Sequence, residues 1–163
     1  MKLPLRLIAL ALAAVALLSA CSSASTQDAD RTDDGAIESE SELGVFRLRV
    51  GDCFEQPGTA TQVETLTAVP CDEPHTAEVL DVYDYVADGD TFPGTVAFEE
   101  SAAEECVNRF NSITGNDFMT DPDWNMTSLY PSAESWDRAD DREIVCIVVP
   151  LDGEPVSAPI ARR

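Results

Sequence analysis

The stretch "VPCDEPHTAEV", Val69 to Val79, gathers a cysteine, three acids and the chain's single histidine into eleven positions. Two chemistries fit such a set. His75 could ligate a divalent metal together with Asp72 and Glu78, or an acid could orient it as a general base. A structural role competes with both, because His75 follows Pro74 at a turn beside a cysteine, where an imidazole commonly bonds backbone groups. Elsewhere, Asp121, Asp123 and Asn125 in "DPDWN" begin like a calcium loop. The sixth position of that loop is Met126 instead of glycine, and the twelfth is Ser132 instead of glutamate. Trp124, Tyr130 and Trp136 would either finish a core or form a small recognition patch. No cofactor is expected. A hydrolase is the weakest expectation, since there is no G-x-S-x-G motif and cysteines held in disulfides offer no thiolate nucleophile.

Those side chains need elements to position them. "VFRLRV", "TQVETLTAVP" and "TAEVLDVYDYV" alternate at the two-residue period of half-buried strands, the first of them beginning the fold as strand one. The period then lengthens. "TVAFEESAAEECVNRFNSITG" sets Phe98, Ala102, Cys106 and Phe110 four apart, an amphipathic helix with Thr95 as its N-cap and Gly115 at its end. "NMTSLYP" and "REIVCIVVP" read as two further strands. The order implies an α+β domain, a mostly antiparallel sheet of about five strands with one amphipathic helix packed on it.

Four cysteines fall inside this domain: Cys53, Cys71, Cys106 and Cys146. An even number in an exported chain is a disulfide framework by default, here with three pairings open. Cys106 on the apolar stripe of the helix and Cys146 in the most hydrophobic strand would staple helix to sheet. Cys53 with Cys71 is preferred for the remainder because both sit just outside strands, although as ends of successive antiparallel strands they would lie at opposite edges. A zinc site is disfavoured by long, irregular spacings without a C-x-x-C pair.

"VGDCF" (Val50 to Phe54), "VPCDEPHTAEV", "FPG" (Phe92 to Gly94) before a cysteine-bearing helix, and "SW" (Ser135, Trp136) followed by "DREIVC" resemble, as an ordered set, the septum-formation domain family of actinobacterial envelope proteins. The resemblance implies an extracytoplasmic domain associated with cell division and carries over no catalytic residues. One departure is "DRADDRE", where a glycine is expected at the turn.

The N-terminal sequence "MKLPLRLIALALAAVALLSAC" has Lys2 and Arg6, twelve apolar residues from Leu7 to Leu18, and then small residues before Cys21. Twelve residues rise about 18 Å as a helix, too short for a hydrocarbon core of roughly 30 Å. "LSAC" matches a bacterial lipobox, so residues 1–20 read as a lipoprotein signal and Cys21 as the lipidated residue, anchoring the chain to the membrane. Residues 21–42, with seven acids and one arginine, read as a disordered tether. The domain is expected over 43–150 and a flexible tail over 151–163. From Leu43 onward there are seven arginines against twenty-four Asp and Glu. That balance disfavours nucleic acid, which needs a positive surface, and favours basic proteins or cations. The leading expectation is thus a non-catalytic module, lipid-anchored on the extracytoplasmic face, that binds envelope or division proteins with basic surfaces. The alternative is a domain that binds a divalent cation or small ligand through its acidic surface and His75.

Overall fold

A computed structural model describes residues 28–58 and 63–160. The expected export signal, Cys21 as the expected lipidated residue and the first residues of the expected tether lie outside the described residues. Six strands form one antiparallel sheet: β1 (Ser41–Gly44), β2 (Cys53–Phe54), β3 (Thr65–Val69), β4 (Ala77–Asp84), β5 (Trp124–Leu129) and β6 (Glu143–Pro150), in the order β1-β3-β2-β4-β6-β5. Two helices, α1 (Thr95–Thr114) and α2 (Ala133–Ala139), complete an α+β domain.

The strand β6 is the spine. Its β-branched run is buried from Ile144 to Pro150 because both faces of the sheet are covered. Ile144, Cys146 and Val148 face a cluster with Phe98, Ala102, Cys106 and Phe110 of α1, while Val145, Ile147 and Val149 join Leu43, Phe54, Leu66 and Val79 on the other side. The four-apart stripe read from the sequence is therefore the face that α1 buries. Its N-cap is Gly94, one residue before the expected Thr95, and Gly115 ends it in the left-handed conformation at φ 76°.

Several elements differ from expectation. "VFRLRV" is not a strand: Val45–Arg47 make a single 3-10 turn, and the strand lies just before it at Ser41–Gly44. The reason is topological, since β1 and β2 flank β3 on opposite sides and the chain must turn to cross between them. A helix, α2, stands where the sequence reads only as a turn between two strands. It begins with a capping box in which Ser132 and Ser135 bond each other's backbone N–H, and it ends at Asp140, which takes the left-handed conformation (φ 54°) in place of a glycine. Within β4, Leu80 is an additional residue between Val79, opposite Ile147, and Asp81, opposite Cys146. The bulge reverses the alternation, so Val82 shares the face of Val79 and Tyr83 shares that of Leu80.

The domain is longer at both ends than its composition suggests. The segment from Asp28, expected to be tether through Glu42, packs on the sheet, with Ile37 buried and β1 beginning at Ser41. Its arginine is the anchor. Arg31 Nη1 and Nη2 reach Asp52 Oδ1 and Oδ2 at 2.6 and 2.9 Å, and both side chains are under a tenth exposed. Asp52 Oδ2 also accepts the Arg49 amide at 2.8 Å, which holds the turn into β2. These hydrogen bonds raise the Arg31 pKa above its ordinary value. Removing one partner of a buried ion pair strands the other charge, at a cost of roughly 3–5 kcal/mol. Arg31→Ala should therefore lower stability in urea by about 3 kcal/mol; a loss under about 0.5 kcal/mol, typical of an exposed residue, would return Arg31 to a tether.

Candidate functional site

The cysteines pair as Cys53–Cys71 and Cys106–Cys146, with Cα separations of 5.2 and 5.5 Å. The first pair is close because Cys53 does not end strand one. It begins β2, opposite Val69 near the end of β3, so Cys71 lies two residues past its neighbour. The second pins the buried face of α1 to β6. A disulfide in a small domain contributes roughly 2–4 kcal/mol.

Beside the first disulfide, β4 presents Glu78 directly opposite Cys53, and the turn before β4 presents His75. His75 and Glu78 are almost completely buried. One atom each from Cys53, His75 and Glu78 falls within 4.8 Å of the others, and among the described residues this is the one group of three or more such side chains so placed. Asp72, expected to join His75, is instead exposed on the turn, because the chain reverses between Pro70 and Glu73 and aims residues 72 to 74 outward.

The cover over this cluster is the segment after β6. His75 N–H donates to Val156 O and Val156 N–H to His75 O, each at 2.9 Å. Further on, the Ile160 amide donates to Glu78 Oε2, and the Ile160 side chain is buried in the α1-side core. The expected flexible tail is therefore structural through Ile160. Val156 and Ile160, separated by Ser157, Ala158 and Pro159, form no periodic pattern, which is why composition alone reads as loose chain.

His75 Nδ1 lies 2.9 Å from Glu73 O. A carbonyl only accepts, so Nδ1 carries the hydrogen and the bond fixes the ring. Nε2 is buried and has no hydrogen-bond partner. A backbone role for His75 is thus present at one nitrogen and absent at the other.

The remaining candidates separate cleanly. Trp136 is core: it is buried, its Nε1 donates to Asp90 O at 2.7 Å, and the Arg142 guanidinium lies 3.5 Å from the ring centroid. Tyr130 is half-buried and stacked on Phe98, with centroids 5.8 Å apart, and its hydroxyl donates to Glu99. Burial, followed by the Glu99 carboxylate, raises the Tyr130 pKa above its ordinary value. Trp124 lines a shallow groove with Pro122, Asp123, Pro150, Leu151 and Val156. Within "DPDWN" two of the three side chains serve the local turn: Asp121 accepts from the Asn116 side chain and the Asp123 amide, and Asn125 from the Met126 amide.

A family model described as septum formation matches residues 50–161, more than half of the 163-residue chain. The chain belongs to that family. No curated protein and no solved structure matches it. The septum formation match opens two residues before Asp52 and closes one residue after Ile160, so it takes in the disulfide, His75, Glu78 and the covering segment together. Membership links the chain to septum formation and to the cell envelope. Among the described residues no helix is long and apolar enough to cross a membrane.

If the segment after β6 is part of the core, Ile160→Ala should destabilise the domain by about 2–4 kcal/mol, the cost of emptying a buried aliphatic site. Urea unfolding of the two proteins measures it, and equal midpoints would mean that Ile160 packs against nothing that matters.

Proposed function

We propose that this chain is a non-catalytic, lipid-anchored module on the extracytoplasmic face of the cell membrane, and that it serves septum formation by binding envelope or division proteins with basic surfaces. The observation that carries the reading is the solvent side of α1. Glu99, Glu100 and Glu104 are exposed, Glu105 is half-buried, and among the described residues none of the four is in a salt bridge. The nearest arginine of the helix, Arg109, is committed to Asp81 at 2.8 Å. Like charges four apart, as at Glu100 and Glu104, cost a helix about 0.2–0.5 kcal/mol, which an incoming basic segment would relieve. A chain of net charge −21 adds a field that attracts cationic partners from a distance.

Hydroxyl and imidazole placement supports a role without catalysis. The Ser101 hydroxyl is 3.0 Å from Tyr83 Oη, Ser132 and Ser135 are engaged in the α2 capping box, and His75 is sealed from solvent. The lipobox around Cys21 supports the anchor and thereby the location.

The test is chemical crosslinking of the lipidated chain in its own membranes. Wild type should capture a small set of envelope proteins with a yield that falls as salt rises, because exposed charges are screened over about 8 Å at physiological ionic strength. Glu99→Lys with Glu100→Lys and Glu104→Lys should cut that yield at least about tenfold, the equivalent of roughly 1.4 kcal/mol. Cys21→Ser should move the chain out of the membrane fraction. Unchanged capture by the charge-reversed variant overturns the acidic-face reading, and membrane retention of Cys21→Ser overturns the anchor.

A further inference from the structure

We propose that reduction of the Cys53–Cys71 disulfide converts the buried cluster into a zinc site, with Cys53 Sγ, His75 Nε2 and a Glu78 carboxylate oxygen as ligands and Cys71 Sγ as the fourth. This site is separate from the acidic face of α1 and does not depend on it.

The argument starts from His75 Nε2. An imidazole nitrogen buried without a partner is costly to leave in place. With Nδ1–H fixed on Glu73 O, a neutral ring turns the Nε2 lone pair inward. That arrangement, one nitrogen free to ligate and the other donating to a backbone carbonyl, is how metal-bound histidines are held. The potential ligand atoms of Cys53, His75 and Glu78 already lie within 4.8 Å of one another. A tetrahedral zinc with ligand distances of about 2.0–2.3 Å needs ligand atoms about 3.5 Å apart, so the cluster has only to contract by roughly 1 Å. Cys71 Sγ, bonded to Cys53 Sγ, stands at the outer edge of this group and turns in as the fourth ligand once the disulfide opens. Two thiolates, an imidazole and a carboxylate select zinc over calcium or magnesium, which prefer all-oxygen sites.

Oxidation state is the gate, because a disulfide sulfur is not a thiolate ligand. Cys53 is buried and Cys71 is partly exposed, so an external thiolate attacks Cys71 Sγ and Cys53 departs as thiolate beside His75. A second external thiol then releases Cys71. Two external thiols become one external disulfide, and the protein disulfide becomes two cysteine thiols. Zinc binding then displaces the two cysteine protons. The exposed acids Asp72 and Glu73 flank Cys71 and would draw the cation to this edge. Cys106–Cys146, buried at both sulfurs, is shielded from the same attack.

Cobalt(II), then zinc, titrated into the full chain tests this, before and after reduction by a water-soluble phosphine that competes little for metal. The oxidised chain should show no thiolate-to-cobalt charge-transfer band. The reduced chain should bind one cobalt with a tetrahedral thiolate spectrum, and one equivalent of zinc should displace it. His75→Gln, or Glu78→Gln should that variant not fold, should weaken zinc binding to the reduced chain at least about tenfold. Absence of the band after reduction overturns the proposal. So does a band that persists unchanged in urea or in the His75 and Glu78 variants, which would reflect cysteines of an unfolded chain. Equal binding by Cys53→Ser with Cys71→Ser would likewise show an adventitious ion.

Discussion

A carboxyl buried beside an imidazole must find partners inside the protein, and Glu78 takes one of its partners from the segment that follows β6. Glu78 and His75 lie at the start of β4, under a segment that arrives from the far end of β6. Val156 exchanges both backbone hydrogen bonds with His75, and the Ile160 amide closes on the Glu78 carboxyl. Without those contacts the His75 backbone groups and the Glu78 carboxyl would each carry a desolvation cost of roughly 1–3 kcal/mol, a sizeable share of a small domain's stability. The covering segment thus satisfies the His75 backbone and the Glu78 carboxyl and is not an appendage to a finished fold.

The other end follows the same logic. Asp52, buried at the turn into β2, takes its countercharge from Arg31, twenty-one residues upstream and outside the family match. Between these closures β6 divides the interior into two apolar layers, one roofed by α1 and one by the β1 and β3 side of the sheet. Each disulfide belongs to one closure problem. Cys106–Cys146 ties the roof to the spine, and Cys53–Cys71 ties the start of β2 to the turn that presents His75.

Much of this was legible in the sequence where the signal is periodic. The stripe Phe98, Ala102, Cys106 and Phe110, the β-branched run of β6, Gly115 as a stop and the Cys106–Cys146 pairing are readable from spacing and residue type, whereas the preference for Cys53–Cys71 runs against the expected strand order. What escaped has identifiable causes. Arg31 sits among acids, and composition cannot show that its two-point partner is the distant Asp52 while nearby Asp28 reaches only Nε, at 3.7 Å. Leu80 breaks the alternation of β4 by a single residue, which no window of alternating types reveals. The α2 capping box uses Ser135 where a glutamate or glutamine would announce a helix. Of the candidate site, His75 and Glu78 come together as read, and Asp72 is replaced by Cys53, a residue that sequence reasoning had assigned wholly to the disulfide.

The chain therefore joins an acidic outer face on α1 to an inner polar cluster covered by the segment after β6. Both lie within the residues that define it as a septum formation protein. The claim on which this account rests is that residues 156–160 are a structural cover. Native-state hydrogen exchange at the Val156 and Ile160 amides measures it directly. The account predicts protection approaching that of the β6 amides, lost only with global unfolding. Exchange at the rate of an unstructured peptide would contradict it.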